Sequence, residues 1–213
     1  MSRTAVVAGA TGLVGGALLR QLAAQREYTQ INVLGRKPPP QEAGKLKFVY
    51  SDFSNLDEIA AQLTVDDVYC CLGTTIRKAG SEAAFERVDY HMVVDLARTA
   101  KKAGAKKFLV VSAVGASLKS PAFYPRVKAR MEQAVSEIGF EAVHIVRPSL
   151  LLGAREELRP AEKLFQWLAP LYSPFMLGPL RMYRPIRADE VAGAMLSLAL
   201  GNQTGAHVHH LPL

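Results

Sequence analysis

Cysteine is almost missing. Cys70 and Cys71 are the only two in 213 residues, and they are adjacent. Neighbours on a strand point to opposite faces, so a disulfide between them would be strained. A disulfide scaffold and a cysteine-based zinc centre are both excluded. Long apolar runs are missing too. The nearly apolar stretch at 191–200 is far short of the ~20 residues that span a bilayer. The apolar stretch at 4–19 is broken by glycines and has only Arg3 as a charged lead-in. It suits a strand and turn rather than a signal peptide. A soluble, cytoplasmic protein without a membrane span is expected. Tryptophan occurs once, at Trp167, and no internal repeat, low-complexity linker, zinc-finger, RNA-recognition or basic-zipper pattern is visible.

Hydrophobic residues make up 49% and charged residues 21% of the chain, a globular balance that argues against disorder. Lys plus Arg is 26 against 19 for Asp plus Glu, a formal charge of +7. The densest basic cluster, Arg98, Lys101, Lys102, Lys106 and Lys107, falls at an expected helix C-terminus, where cations complement the helix dipole. Nucleic acid is therefore not the expected partner.

Short, Val-rich apolar runs at 4–8, 31–34, 46–50, 67–72, 107–112 and 142–146 suit strands buried on both faces. Helical periodicity lies between them, at 13–26, 56–62, 81–102 and 124–138. Strand and helix in alternation imply a doubly wound parallel α/β sheet with helices on both faces. The composition changes after Arg147-Pro148: 149–187 is proline-rich and carries Phe165, Trp167, Leu168, Tyr172, Phe175 and Met176. A helix resumes at 189–200, and 207–211 reads as a last strand. The expectation is one domain over 1–213, with 149–187 as an irregular lobe.

The first strand runs into Gly9-Ala10-Thr11-Gly12-Leu13-Val14-Gly15. Glycines between an apolar strand and a helix serve a tight turn, close approach of backbone to a pyrophosphate, and close helix–strand packing. The helix start offers free N–H groups and a positive dipole end. Dinucleotide binding by Gly9, Thr11, Gly12, Leu13, Val14 and Gly15 is therefore expected. A chain that binds NAD usually closes its second strand with an acid for the ribose 2′-hydroxyl. Here the run is Asn32-Val33-Leu34-Gly35-Arg36-Lys37, with no acid and two cations. A guanidinium matches a 2′-phosphate through paired, charge-assisted hydrogen bonds. NADP(H) is the expected cofactor, with Arg36 first and Lys37 helping. Asp52, after the third strand, is placed to accept from the adenine amino group. Leu72, Gly73 and Thr74 close the fourth strand and are expected to lie along the dinucleotide.

These residues, with Cys70-Cys71-Leu72-Gly73-Thr74-Thr75, Arg77-Lys78-Ala79-Gly80 and Phe85-Glu86-Arg87-Val88-Asp89-Tyr90, resemble the short-chain dehydrogenase/reductase superfamily. The resemblance is nearest to its atypical short members of the Tat-interactive metastasis-suppressor-like group, and it runs from Gly9 to Val191. It implies a Rossmann fold and NADP(H) binding. It also gives meaning to Tyr124-Pro125-Arg126-Val127-Lys128, which matches the superfamily's Tyr-x-x-x-Lys signature. Residues four apart share a helix face. Tyr124 would give or take a proton, and Lys128 would lower its pKa and hold the ribose hydroxyls. The family usually carries a Ser pair at the end of the fifth strand, but here Ala113 holds the place of the usual catalytic Ser. Ser112 or Ser117 is the candidate substitute. Arg147 and Pro148 resemble the segment whose backbone borders the nicotinamide, and 187–189 resembles another recurrent family segment.

His207 and His209 would share a strand face, but two ligands do not make a site, and no metal is expected. His91 reads as packed or solvated. The lobe's apolar side chains, with Arg155, Arg159, Arg181 and Arg184 near them, suit a carbonyl or quinone substrate, and equally a cap or subunit contact. The expected function is an NADPH-dependent oxidoreductase of the carbonyl or quinone reductase type. The alternative is a non-catalytic NADP(H)-binding redox sensor that acts through a protein partner. Besides the small-molecule substrate, a protein partner or a homodimer is the association expected.

Overall fold

The protein, as a computed structural model, is described over residues 2–40, 44–60, 64–152 and 184–212. Strands and helices alternate as β1 (Arg3–Ala8), α1 (Leu13–Ala24), β2 (Tyr28–Gly35), β3 (Leu46–Tyr50), α2 (Leu56–Ala60) and β4 (Asp67–Cys70). Then come α3 (Ile76–Ala79), α4 (Glu82–Glu86), a π-helical turn (Arg87–His91), α5 (Met92–Lys102), β5 (Lys107–Val111) and α6 (Phe123–Ser136). The chain continues through β6 (Ala142–Pro148), β7 (Leu151–Leu152), β8 (Ile186–Arg187), α7 (Ala188–Leu200) and β9 (Gly205–Leu211).

One seven-stranded sheet has the order β3-β2-β1-β4-β5-β6-β9, and every neighbouring pair is parallel. This is the expected doubly wound, Rossmann-type arrangement. Two-residue periodicity divides its core. Ala5, Val7, Tyr69 and Leu109 face α1 and α7, where Leu18, Leu22, Val191 and Met195 cover them. Val6, Ala8, Val68 and Phe108 face the other way, under Leu56, Leu96 and Met131 of α2, α5 and α6. Among the described residues, no helix is long and apolar enough to cross a membrane.

Several expected boundaries need correction. The helix read over 81–102 is three pieces, with Ser81 accepting from the Ala84 amide as N-cap of α4 and a π-helical turn inserted before α5. Strand β4 stops at Cys70, because the chain must leave the sheet to form the cleft loop. Strand β2 begins at Tyr28, since Tyr28 is itself buried under the sheet's lower edge. The last strand starts at Gly205 and pairs with β6 along its length. Of the irregular lobe, 153–183 lies outside the described residues, and with it Arg155, Arg159, Phe165, Trp167, Leu168, Tyr172, Phe175, Met176 and Arg181. Its described ends pair as the short parallel strands β7 and β8.

Candidate functional site

The sheet order reverses between β1 and β4. The C-terminal ends of these strands flank the crevice where open α/β sheets take their ligands. Gly9 follows β1 with φ +83°, and a Cβ there would fall on the Cys71 carbonyl. A Cβ on Gly15 would fall on the Gly9 carbonyl. These two glycines therefore let α1 and the end of β4 close on the turn. Gly12 differs. It is exposed, it N-caps α1, and its nearest neighbour for a Cβ is the Gly9 oxygen at 3.3 Å. The Gly12 amide donates to that oxygen at 3.1 Å, which folds the turn back on itself. No side chain caps α1, and its first turn carries no acid. The amides of Leu13, Val14 and Gly15 in that turn have no intrahelical acceptor. An uncapped, acid-free amide turn beside an exposed Thr11 and Gly12 fits the pyrophosphate of a dinucleotide.

On the other side of the crevice, α6 presents a polar stripe with a four-residue spacing. Tyr124 is 36% exposed and tilts against the buried Phe85 ring at 5.3 Å. One turn on, Lys128 is 3% exposed. Its Nζ lies 2.9 Å from Asp89 Oδ1 and donates to the Val111 carbonyl at 3.4 Å. Burial lowers the Lys128 pKa, but Asp89 and Tyr124 outweigh it and hold the ammonium above its ordinary value. Asp89 lies on the π-helical turn and is 1% exposed. Its other oxygen accepts from the Thr74 amide at 2.8 Å. One turn further, Glu132 accepts from Ser112 Oγ at 2.5 Å and from Arg147 Nε at 2.9 Å and Nη2 at 2.5 Å.

The sequence-derived candidates thus fall into place unevenly. Gly9, Thr11, Gly12, Leu13, Val14, Gly15, Leu72, Gly73 and Thr74 meet at the ends of β1 and β4. Arg36 and Lys37 are exposed just beyond β2, next to the end of β3. Asp52 is exposed there as well, and its Oδ1 accepts from the Ser54 hydroxyl and amide, which hold the carboxyl below its ordinary range. Strand β5 stops at Val111, one residue short of the expected 112, so Ser112 follows the strand, and its hydroxyl is bound to Glu132 rather than open to the crevice. Arg147 is turned to the same carboxylate, and the Pro148 carbonyl accepts from the Val114 amide at 3.0 Å. Ser117 is exposed, and its amide donates to the Pro125 carbonyl at 3.2 Å.

Sequence reasoning missed Asp89 and Glu132 as partners. Both carried a signal: Glu132 continues the Tyr124–Lys128 spacing, and Asp89 interrupts the apolar stripe of Phe85, Val93 and Leu96. It also missed that His207 and His209 join His144 of β6. His144 Nδ1 lies 3.1 Å from His209 Nε2, and the ring centroids of His144 and His207 are 5.8 Å apart. Burial and the neighbouring His209, His207 and Lys107 push the His144 pKa down to about 4, and His209 is lowered as well. No group of three or more His, Cys, Asp or Glu among the described residues is placed to hold a metal ion. Part of the basic cluster is spent internally, since Lys107 Nζ donates to the Ala199 and Gly201 carbonyls at the end of α7.

A protein family described as NAD(P)H-binding matches residues 9–157. Protein HTATIP2 of Rattus norvegicus is 37% identical over 172 residues, which cover 79% of this chain and 69% of that protein. The fmp52 protein of Aspergillus clavatus, named as mitochondrial, is 36% identical over 176 residues, 79% of this chain and 75% of its own. In fold, the chain is similar to MoeE5, solved with UDP-glucuronic acid and NAD, with a TM-score of 0.74. That likeness covers 96% of this chain and 75% of MoeE5 at 17% identity.

Proposed function

The chain belongs to the NAD(P)H-binding family, and on that premise we propose an NADPH-dependent oxidoreductase of the carbonyl or quinone reductase type. The uncapped amide turn at Thr11–Gly15, facing the Tyr124–Lys128 stripe across the switch point, carries this reading. The amides of 13–15 would hold the pyrophosphate, Leu72, Gly73 and Thr74 would border it, and Asp52 would meet the adenine. Arg36, with Lys37, would pair with a 2′-phosphate, and this makes NADP(H) rather than NAD(H) the proposed cofactor. Pro148 and the Arg147 backbone would border the nicotinamide. When bound, the cofactor supplies two-electron hydride chemistry. Tyr124 is the half-exposed hydroxyl that gives or takes the proton at a substrate oxygen. Lys128 favours the phenolate by its charge. An ammonium has three donors; with Asp89 and Val111 taking two, the third is left for a ribose hydroxyl. Ser112 acts first by holding Glu132, and must leave it to reach a carbonyl. The substrate, an amphipathic carbonyl compound or quinone, would lie under residues of 149–187.

The test is NADPH oxidation with a panel of quinones and aldehydes. Tyr124→Phe should lower turnover by about 100-fold or more, with NADPH affinity within roughly twofold of wild type. Equal turnover in Tyr124→Phe would overturn the assignment.

Ala113 in the usual Ser place, and the Ser112 hydroxyl bound to Glu132, favour a second reading: a non-catalytic NADP(H) sensor acting through a partner protein or a homodimer. It predicts self-association or partner affinity that differs between NADP+ and NADPH, and equal values would remove it. Cytoplasmic residence belongs to the proposal as well. Imaging of the tagged chain decides between it and the mitochondrial location that the fungal relative's name carries.

A further inference from the structure

Two rings at the start of α6 rest on a third that belongs to neither core of the sheet. Phe85, on α4, has no exposed surface, yet it is a member of neither cluster that covers a sheet face. Its ring contacts are with the first two residues of α6. The Phe123 ring meets it edge-on, with centroids 6.0 Å apart and planes at 62°. The Tyr124 ring lies tilted on it, at 5.3 Å and 42°. Both separations are those of favourable aromatic pairs. The start of α6 has little else of its own to fix it. Ala122, its N-cap, offers no side-chain hydrogen bond, and the first turn carries no acid. The helix that carries Phe85 is capped: Ser81 Oγ accepts from the Ala84 amide at 3.1 Å.

We infer that Phe85 is a positioning residue, which seats the Tyr124 ring in the rotamer that keeps its hydroxyl at the crevice. The inference rests on the reading of Tyr124 as the group that gives or takes the proton in an oxidoreductase. A tyrosine that is 36% exposed has room to change rotamer about χ1. A buried ring on one side biases that choice. An aromatic pair is favoured by about two- to tenfold beyond what burial alone gives. Leucine or methionine in place of Phe85 keeps an apolar contact but offers no ring face. Turnover draws only on molecules whose hydroxyl is in place, so it falls with the population of that rotamer. Cofactor binding does not, because the groups proposed to hold the dinucleotide lie elsewhere.

The experiment uses the full chain with 13C,15N-labelled tyrosine, whose Tyr124 signals are assigned by their loss in Tyr124→Phe. Couplings from the Tyr124 nitrogen and carbonyl carbon to Cγ report χ1. Wild type should show the couplings of one rotamer, and Phe85→Leu should show averaged values. With the quinone or aldehyde that wild type reduces best, kcat should fall roughly tenfold in Phe85→Leu. KM and calorimetric NADPH affinity should stay within about twofold of wild type. The loss should vanish when Phe85→Leu is added to Tyr124→Phe, since a residue that acts through the hydroxyl has nothing to position once it is gone. Phe85→Met keeps the volume more closely and serves where Phe85→Leu does not fold. One-rotamer couplings in the variant overturn the proposal, and so does averaging with wild-type kcat. An equal fall of kcat with and without the Tyr124 hydroxyl also overturns it, leaving Phe85 a structural residue. A wild type that oxidises NADPH with no quinone or aldehyde would instead overturn the oxidoreductase reading, and the couplings, which need no substrate, tell the two apart.

Discussion

The two ends of the sheet each bury a carboxylate, and they use it differently. At the N-terminal edge, Asp67 opens β4 with no exposed surface. It takes Arg3 Nη2 at 2.6 Å and the Tyr28 hydroxyl at 2.6 Å, and Tyr28 in turn meets the Tyr69 hydroxyl at 2.8 Å. Burial pushes the Asp67 carboxyl up against the pull of Tyr28 and Arg3. All these partners are strand residues, and the one further bond of Arg3, from Nη1 to the Ala199 carbonyl of α7 at 3.1 Å, is likewise internal. At the C-terminal edge, Asp89 meets a loop amide and a helix ammonium, and that ammonium lies one turn of α6 from the half-exposed Tyr124. The lower cluster fixes a junction of three strands, β1, β2 and β4. The upper one ties elements that border open space. Buried charge by itself therefore says little about function; what its partners border says more.

The largest effect should separate the glycines of the upper edge. Gly9→Ala puts a Cβ on the Cys71 carbonyl at a positive φ, and should cost about 4 kcal/mol in urea denaturation. Gly12→Ala, on an exposed turn where the added Cβ meets only the Gly9 oxygen, at 3.3 Å, should cost less, about 1 kcal/mol, yet weaken NADPH binding roughly tenfold. Equal stability losses for the two would erase the distinction between packing and ligand-facing glycines. Next, Asp67→Asn breaks the lower cluster and should destabilise by about 3 kcal/mol, with NADPH affinity at 25 °C unchanged. A loss of affinity there would mean that the two edges are coupled.

A smaller effect involves the histidines at the β6–β9 edge. The folded pKa of His144 lies below its unfolded value, so the unfolded chain binds more protons between about pH 6.5 and 4. Stability should fall by about 2 kcal/mol as pH drops through that window, and the slope should be shallower in His144→Leu. An identical slope would assign the loss to carboxylates instead.

Much of the frame was legible in the sequence. Val-rich runs marked the strands, and the glycine spacing at 9–15 marked the crevice before any sheet order was known. The π-helical turn was not legible, because Phe85, Asp89, Val93 and Leu96 keep an ordinary helical period across it. Asp89 could have been flagged as an acid on that apolar stripe, but only the fold brings it to Lys128 and Thr74, 39 and 15 residues away in the chain. The commitment of Ser112 to Glu132 needed the packing of α6 on β5 and β6. His144 joined the other two histidines only through the register in which it faces His207.

The most direct test of the central claim is calorimetric titration of the folded protein with NADPH and with NADH. The account predicts clear binding of NADPH in preference to NADH, and a preference reduced about tenfold or more in Arg36→Asp. A folded protein that binds neither dinucleotide would contradict it.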